Sequence, residues 1–126
     1  MATWNEVRRL ATSLPGAEEF EARGLRQWKV KNKLFVWERP LRRSDFEALG
    51  DAAPEGAIVG ARVEHEGAKE ALLAADPEVF FTTPHFDGYP IVLVRLDAIS
   101  AEGLREVVTE AWLVRAPKRL VDEYLG

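Results

Sequence analysis

Leu25-Arg26-Gln27-Trp28-Lys29-Val30, then Lys31-Asn32-Lys33, then Leu34-Phe35-Val36-Trp37-Glu38: this stretch decides the fold. Its two flanks are rich in aromatic and β-branched residues, and each is short enough for a strand. Asn tolerates positive φ, so Asn32 suits the tight turn of a hairpin. Lys29 and Lys31 alternate with Trp28 and Val30, which lets one side of the strand carry charge while the other packs.

Upstream, Thr3-Trp4-Asn5-Glu6 has the pattern of a capping box, and Val7, Leu10, Ala11 and Leu14 follow at helical spacing. Pro15-Gly16 stops that first helix, which spans about residues 4–14. Downstream, Arg39–Ala57 holds Pro40, Gly50, Pro54 and Gly56 and reads as a long connection, within which Ser44-Asp45-Phe46-Glu47 can cap one helical turn. Ile58–Val63 is a third strand and Gly67–Ala75 a second helix. Val79–Thr82 and Ile91–Leu96 form another strand pair. Ser100 caps a last long helix whose Leu104, Val107, Val108, Ala111 and Trp112 make one apolar stripe. Pro117 either kinks that helix or opens a short final one. The expected order is α-β(3)-α-β(2)-α: a single α+β domain over residues 1–126. Its five-stranded, mostly antiparallel sheet is covered by the N- and C-terminal helices.

The chain has 126 residues and no cysteine, so disulfides, thiolate metal sites and thiol nucleophiles are excluded. MATWNEVRRL contains no apolar run resembling a signal peptide. The longest uninterrupted apolar stretch, Ala71–Ala75, is far short of the roughly 20 residues that cross a membrane. A cytoplasmic protein without membrane contact is the simplest expectation. Oligomeric state is left open, with a monomer as the plainer case.

Net charge is −4, which argues mildly against nucleic acid as a partner. The average hides an asymmetry. Residues 1–50 carry 10 Lys/Arg against 7 Asp/Glu, and residues 51–126 carry 7 against 14. Between Arg23 and Arg43 there are eight basic residues before Asp45 is reached, and Glu38 is the one acid among them. Charges beyond roughly 8 Å are screened at physiological salt, so such a patch acts locally.

Several motifs together resemble the MmcQ/YjbR-like family of small bacterial proteins. They are Leu14-Pro15-Gly16, Lys33-Leu34-Phe35-Val36-Trp37, Thr83-Pro84-His85-Phe86 with Ile91-Val92-Leu93-Val94-Arg95-Leu96-Asp97, and Ala111-Trp112 with Ala116-Pro117-Lys118-Arg119-Leu120. The resemblance spans about residues 4–125 and implies the same α-β(3)-α-β(2)-α order. It also implies a DNA-binding role, because the family's hairpins have been likened to a pair of DNA-contacting wings. It brings no catalytic residues. One departure is Asn32, where a glycine is expected in the hairpin turn.

The candidate nucleic-acid surface is therefore Arg26, Lys29, Lys31, Lys33, Arg39, Arg42 and Arg43, whose long cations suit phosphate contacts. Trp28, Phe35 and Trp37 could stack on an unpaired base if exposed. The competing account is a solvated strand face whose lysines block edge-to-edge pairing. A second candidate is a ligand pocket built from Thr83, His85 and Asp87 with Lys118 and Arg119. It belongs to the alternative reading, a small-molecule or partner-binding domain using the sheet face and the His85 loop. His65 between Glu64 and Glu66 does not converge on one ion without a turn, so no metal and no cofactor are expected. Neither a nucleophile elbow nor a phosphate loop is present, and catalysis is not expected.

Overall fold

In a computed structural model, which describes residues 2–126, the Thr3 cap closes as its spacing predicts. The Thr3 side chain accepts the Glu6 N–H while the Glu6 carboxylate accepts the Thr3 N–H, starting α1, Trp4–Thr12. The chain continues through β1 (Ala17–Ala22), β2 (Leu25–Val30), β3 (Lys33–Glu38), α2 (Arg43–Leu49) and β4 (Ile58–Arg62). It ends with α3 (Glu66–Ala75), β5 (Phe80–Phe81), β6 (Ile91–Arg95), α4 (Ala101–Arg115) and α5 (Lys118–Leu125). Short 3-10 turns occupy Gly50–Ala52 and Pro84–Phe86. The sheet order is β1-β2-β3-β4-β6-β5, and every neighbouring pair is antiparallel.

The α+β class stands, but the sheet has six strands where five are expected. The extra strand is β1, Ala-Glu-Glu-Phe-Glu-Ala, whose glutamates disfavour a strand assignment by propensity. It lies at the sheet edge, where exposed charge costs little and discourages pairing with another chain. The helical turn expected at Ser44–Glu47 grows into α2, capped by Asp45 rather than by Ser44: its Oδ2 accepts the Arg42 N–H at 2.8 Å. Pro117 opens a new helix rather than kinking the old one. Ala116 before it is extended (φ −71°, ψ 145°), the conformation a following proline favours.

One face of the sheet is the main core. Trp28, Val36, Val59, Ala61, Val92 and Val94 pack there against Val7 and Ala11 of α1 and Leu104, Val108, Ala111 and Trp112 of α4. Alternation alone would put Phe35 and Val36 on opposite faces, yet both are fully buried in this cluster. A β-bulge explains it: pairing shifts from Trp28↔Val36 to Lys29↔Leu34, leaving Phe35 as the extra residue. The two buried indoles find acceptors, Trp28 Nε1 on Glu19 and Trp112 Nε1 on the Pro15 carbonyl, each at 3.0 Å. On the opposite face a smaller cluster of Ile58, Leu93 and Phe86, joined by Leu41, Phe81 and Ile91, covers β4 and β6.

Candidate nucleic-acid interface

The hairpins are set by their turns. Lys31 and Asn32 both have positive φ (48° and 66°), as do Arg23 and Gly24 (55° and 79°) in the turn from β1 to β2. Two central residues with positive φ define a type I′ connection, whose twist matches that of the strands. Asn32 thus does the work expected of a glycine. A long side chain in this region is strained, and here Arg23 and Lys31 both accept that strain at hairpin tips. The two tips lie at opposite ends of β2.

Alternation then sorts the charges. Glu19 pairs with Trp28 on the core face, where its carboxylate binds the Arg8 guanidinium at 2.8 Å and the Trp28 indole. The hydrogen bond from Arg8 leads the effects that hold the Glu19 carboxyl below its usual range. Phe20 pairs with Gln27 and Glu18 with Lys29, so these point to the other face; the Lys29 ammonium sits 5.1 Å from the centre of the Phe20 ring. Leu25, Gln27, Leu34 and Trp37 share this second face, and Gly60 leaves room for the Trp37 indole lying across β4.

The seven predicted basic residues divide sharply. Arg39 is buried at 4% exposure, 2.9 Å from Asp45, donating also to the Pro40 carbonyl and lying over the Phe86 ring. Arg26 binds Glu38 at 2.8 Å and lies over the Trp4 ring. Both are structural cations, which corrects their assignment to a contact surface: each offers its charge to a partner inside the molecule. Burial would raise the Glu38 and Asp45 pKa values, but hydrogen bonds from Arg26 and from Arg42 and Arg39 override it and hold both carboxyls below their ordinary range. Lys31, Lys33, Arg42 and Arg43 are exposed, and Lys29 is half-buried. Arg43 has an i,i+4 neighbour in Glu47 at 3.3 Å, an exposed pair of little strength.

The stacking candidates fail. Trp28 and Phe35 are fully buried and Trp37 is 8% exposed. The aromatic that the open face does present is Phe20, 40% exposed, in the strand whose glutamates masked it. Arg23 is likewise placed at this surface by its turn rather than by any motif.

The proposed ligand pocket does not assemble as expected. Thr83 is buried and its hydroxyl lacks a hydrogen-bond partner among the described residues, whereas His85 and Asp87 are exposed. Lys118 pairs with Asp122 at 2.8 Å, and Leu120, one residue past Arg119, packs at Gly16 beside Val30 on the helix-covered side. Instead, His85 joins the hairpin. A groove of ≈ 420 Å³ on the second face is lined by Arg23, Leu34, Trp37, Arg39, Arg42 and His85, among others. His65 is an N-cap, its Nδ1 accepting the Ala68 N–H at 3.0 Å. Among the described residues no helix is long and apolar enough to cross a membrane.

The fold and groove together define a small α+β domain whose antiparallel sheet is clad by helices on one face and left partly open on the other. The chain belongs to the YjbR family, whose model matches residues 12–114. It is 54% identical to the uncharacterized protein Rv2570 of Mycobacterium tuberculosis and equally to an uncharacterized protein of Mycobacterium bovis, covering 100% of this chain and 98% of each relative. The crystal structure of Deinococcus radiodurans protein DR2400, of family DUF419, superposes with a TM-score of 0.69 at 21% identity, covering 98% of this chain and 88% of that one.

Proposed function

We propose that this protein binds nucleic acid across the open face of β1–β3 and the adjoining groove. Arg23, Lys29, Arg42 and Arg43 hold phosphates along this face, Lys31 and Lys33 hold them at the hairpin tip, and Phe20 offers a surface on which an unpaired base stacks. One observation carries the reading: both hairpin tips spend backbone strain to hold long cations, Arg23 and Lys31, where Asn or Gly would sit more comfortably. The contacts are to the backbone and to base faces, so affinity rather than sequence discrimination is expected.

The test is fluorescence anisotropy with labelled duplex and single-stranded DNA at two salt concentrations. Neutralising about four phosphates should make affinity fall roughly 100-fold from about 50 to about 200 mM salt. Joint replacement of Arg23, Lys31, Lys33 and Arg42 by Ala should abolish binding and leave the unfolding temperature nearly unchanged, since none of these side chains has an ion-pair partner among the described residues. Unaltered affinity in that variant removes this surface from consideration. Binding that salt barely affects would favour a small ligand in the same groove.

A further inference from the structure

Two arginines outside the groove form no ion pair among the described residues. The Nε atoms of Arg62, at the end of β4, and Arg115, in the last turn of α4, are both buried without a hydrogen-bond partner among the described residues. Burial, and then the positive charge of Arg115, push the Arg62 pKa below its ordinary value. Buried donors are nearly always satisfied in folded proteins, and the two half-buried arginines are near enough for the charge of Arg115 to bear on Arg62. An oxyanion between them would supply the missing acceptors and cancel the repulsion, because guanidinium forks match planar carboxylates bidentately.

Arg62 also lines a cleft of ≈ 410 Å³ between α3 and α4. Its walls are apolar: Val63, Leu72, Val79, Phe80, Ile99 and Val107. That volume lies within the usual range for small-molecule sites, roughly 300–1,000 Å³. Asp76, Glu106 and Glu110 stand exposed around the same cleft and disfavour a polyanion such as a nucleotide. A single negative charge seated on the arginines, with a hydrocarbon body, meets both conditions.

We propose that Arg62 and Arg115 form the head of a ligand site for a monoanionic amphiphile, an organic carboxylate whose apolar tail occupies the cleft between α3 and α4. The site is separate from the nucleic-acid surface, and its test does not depend on that surface. The probes are octanoate, octanamide and inorganic phosphate at millimolar concentration, read by thermal shift and calorimetry. Octanoate should raise the unfolding temperature, and octanamide and phosphate should not. Arg62→Met and Arg115→Met should each weaken octanoate at least about tenfold, the loss of a charge-assisted bidentate contact. Neither variant should unfold at a lower temperature without ligand, because each relieves a repulsion.

Equal responses to octanoate and octanamide would overturn the anionic head, and an equal response to phosphate alone would overturn the coupling to the cleft. No response to octanoate would overturn the site altogether. Should either variant fail to fold, amide chemical shifts of the unaltered protein decide. Octanoate should move Val63 and Val107, and movements confined elsewhere overturn the proposal.

Discussion

Arg39 and Arg42 stand three positions apart with the same charge, and burial gives them opposite duties. Arg39 is sealed against Asp45 and the Phe86 ring, while Arg42 faces solvent and lends Asp45 only its backbone N–H. Removing Asp45 therefore strands a buried guanidinium and uncaps α2 together. Asp45→Ala should cost about 3–5 kcal/mol in chemical denaturation, the range for breaking a buried pair. Acid should act through the same groups. Asp45, Glu38 and Glu19 all titrate below their ordinary values of 3.8 for Asp and 4.5 for Glu. A depressed carboxyl contributes stability above its unfolded pKa and loses it as pH falls through its folded one. Denaturation midpoints should accordingly drop as pH falls below about 4.5, the drop continuing below the unfolded values. Glu38→Gln should be less stable at neutral pH and show a shallower acid limb. An identical limb would mean that the Arg26–Glu38 pair contributes nothing to acid sensitivity.

At the scale of elements, what was legible in the sequence followed from local chemistry. The Thr3 cap, the Ser100 cap with its stripe on α4, and the β2–β3 hairpin all announce themselves within a few residues. What was not legible depends on tertiary partners. The β1 strand reads as polar because its glutamates face solvent or are claimed by Arg8 and Trp28 from elsewhere in the chain. Lys69 reads as a surface lysine on α3, yet it is 3% exposed and its ammonium donates to the Phe86 and Tyr89 carbonyls at 2.8 and 3.0 Å. It ties α3 to the segment that carries His85 into the groove. Lys69→Met, which keeps the apolar stem, should cost about 1–3 kcal/mol by removing two hydrogen bonds from a charged donor, each carbonyl keeping one backbone N–H partner. It should also speed hydrogen exchange in residues 84–90, and unchanged exchange there would show that the tie is dispensable. The hairpin tips give the opposite sign. Arg23→Asn and Lys31→Asn should each stabilise the protein by up to about 1 kcal/mol, since Asn enters the left-handed region more easily. Each should also weaken nucleic-acid binding, and that trade of stability for a cation is what distinguishes a functional tip from a merely tolerated one.

Over the whole molecule the net charge of −4 misleads, because the sheet has two faces and the acids of β1 are divided between them. Glu19 and Glu21 fall on the helix-covered side by alternation, and Glu18 alone shares the open face with Phe20 and Lys29. If nucleic acid lies on the open face, Glu18 opposes a phosphate at contact distance, whereas Glu21 is separated from it by the sheet. Glu18→Gln should then tighten DNA binding several-fold at low salt, and Glu21→Gln, with the same change in net charge, should do markedly less. The advantage of Glu18→Gln should shrink as salt rises, because exposed charges are screened within roughly 8 Å at physiological ionic strength. Equal gains from both substitutions would show that DNA senses only overall charge, and the open face would lose its claim as the docking surface. Unequal gains in the stated order would locate the ligand by electrostatics alone, on the face that the helices leave bare.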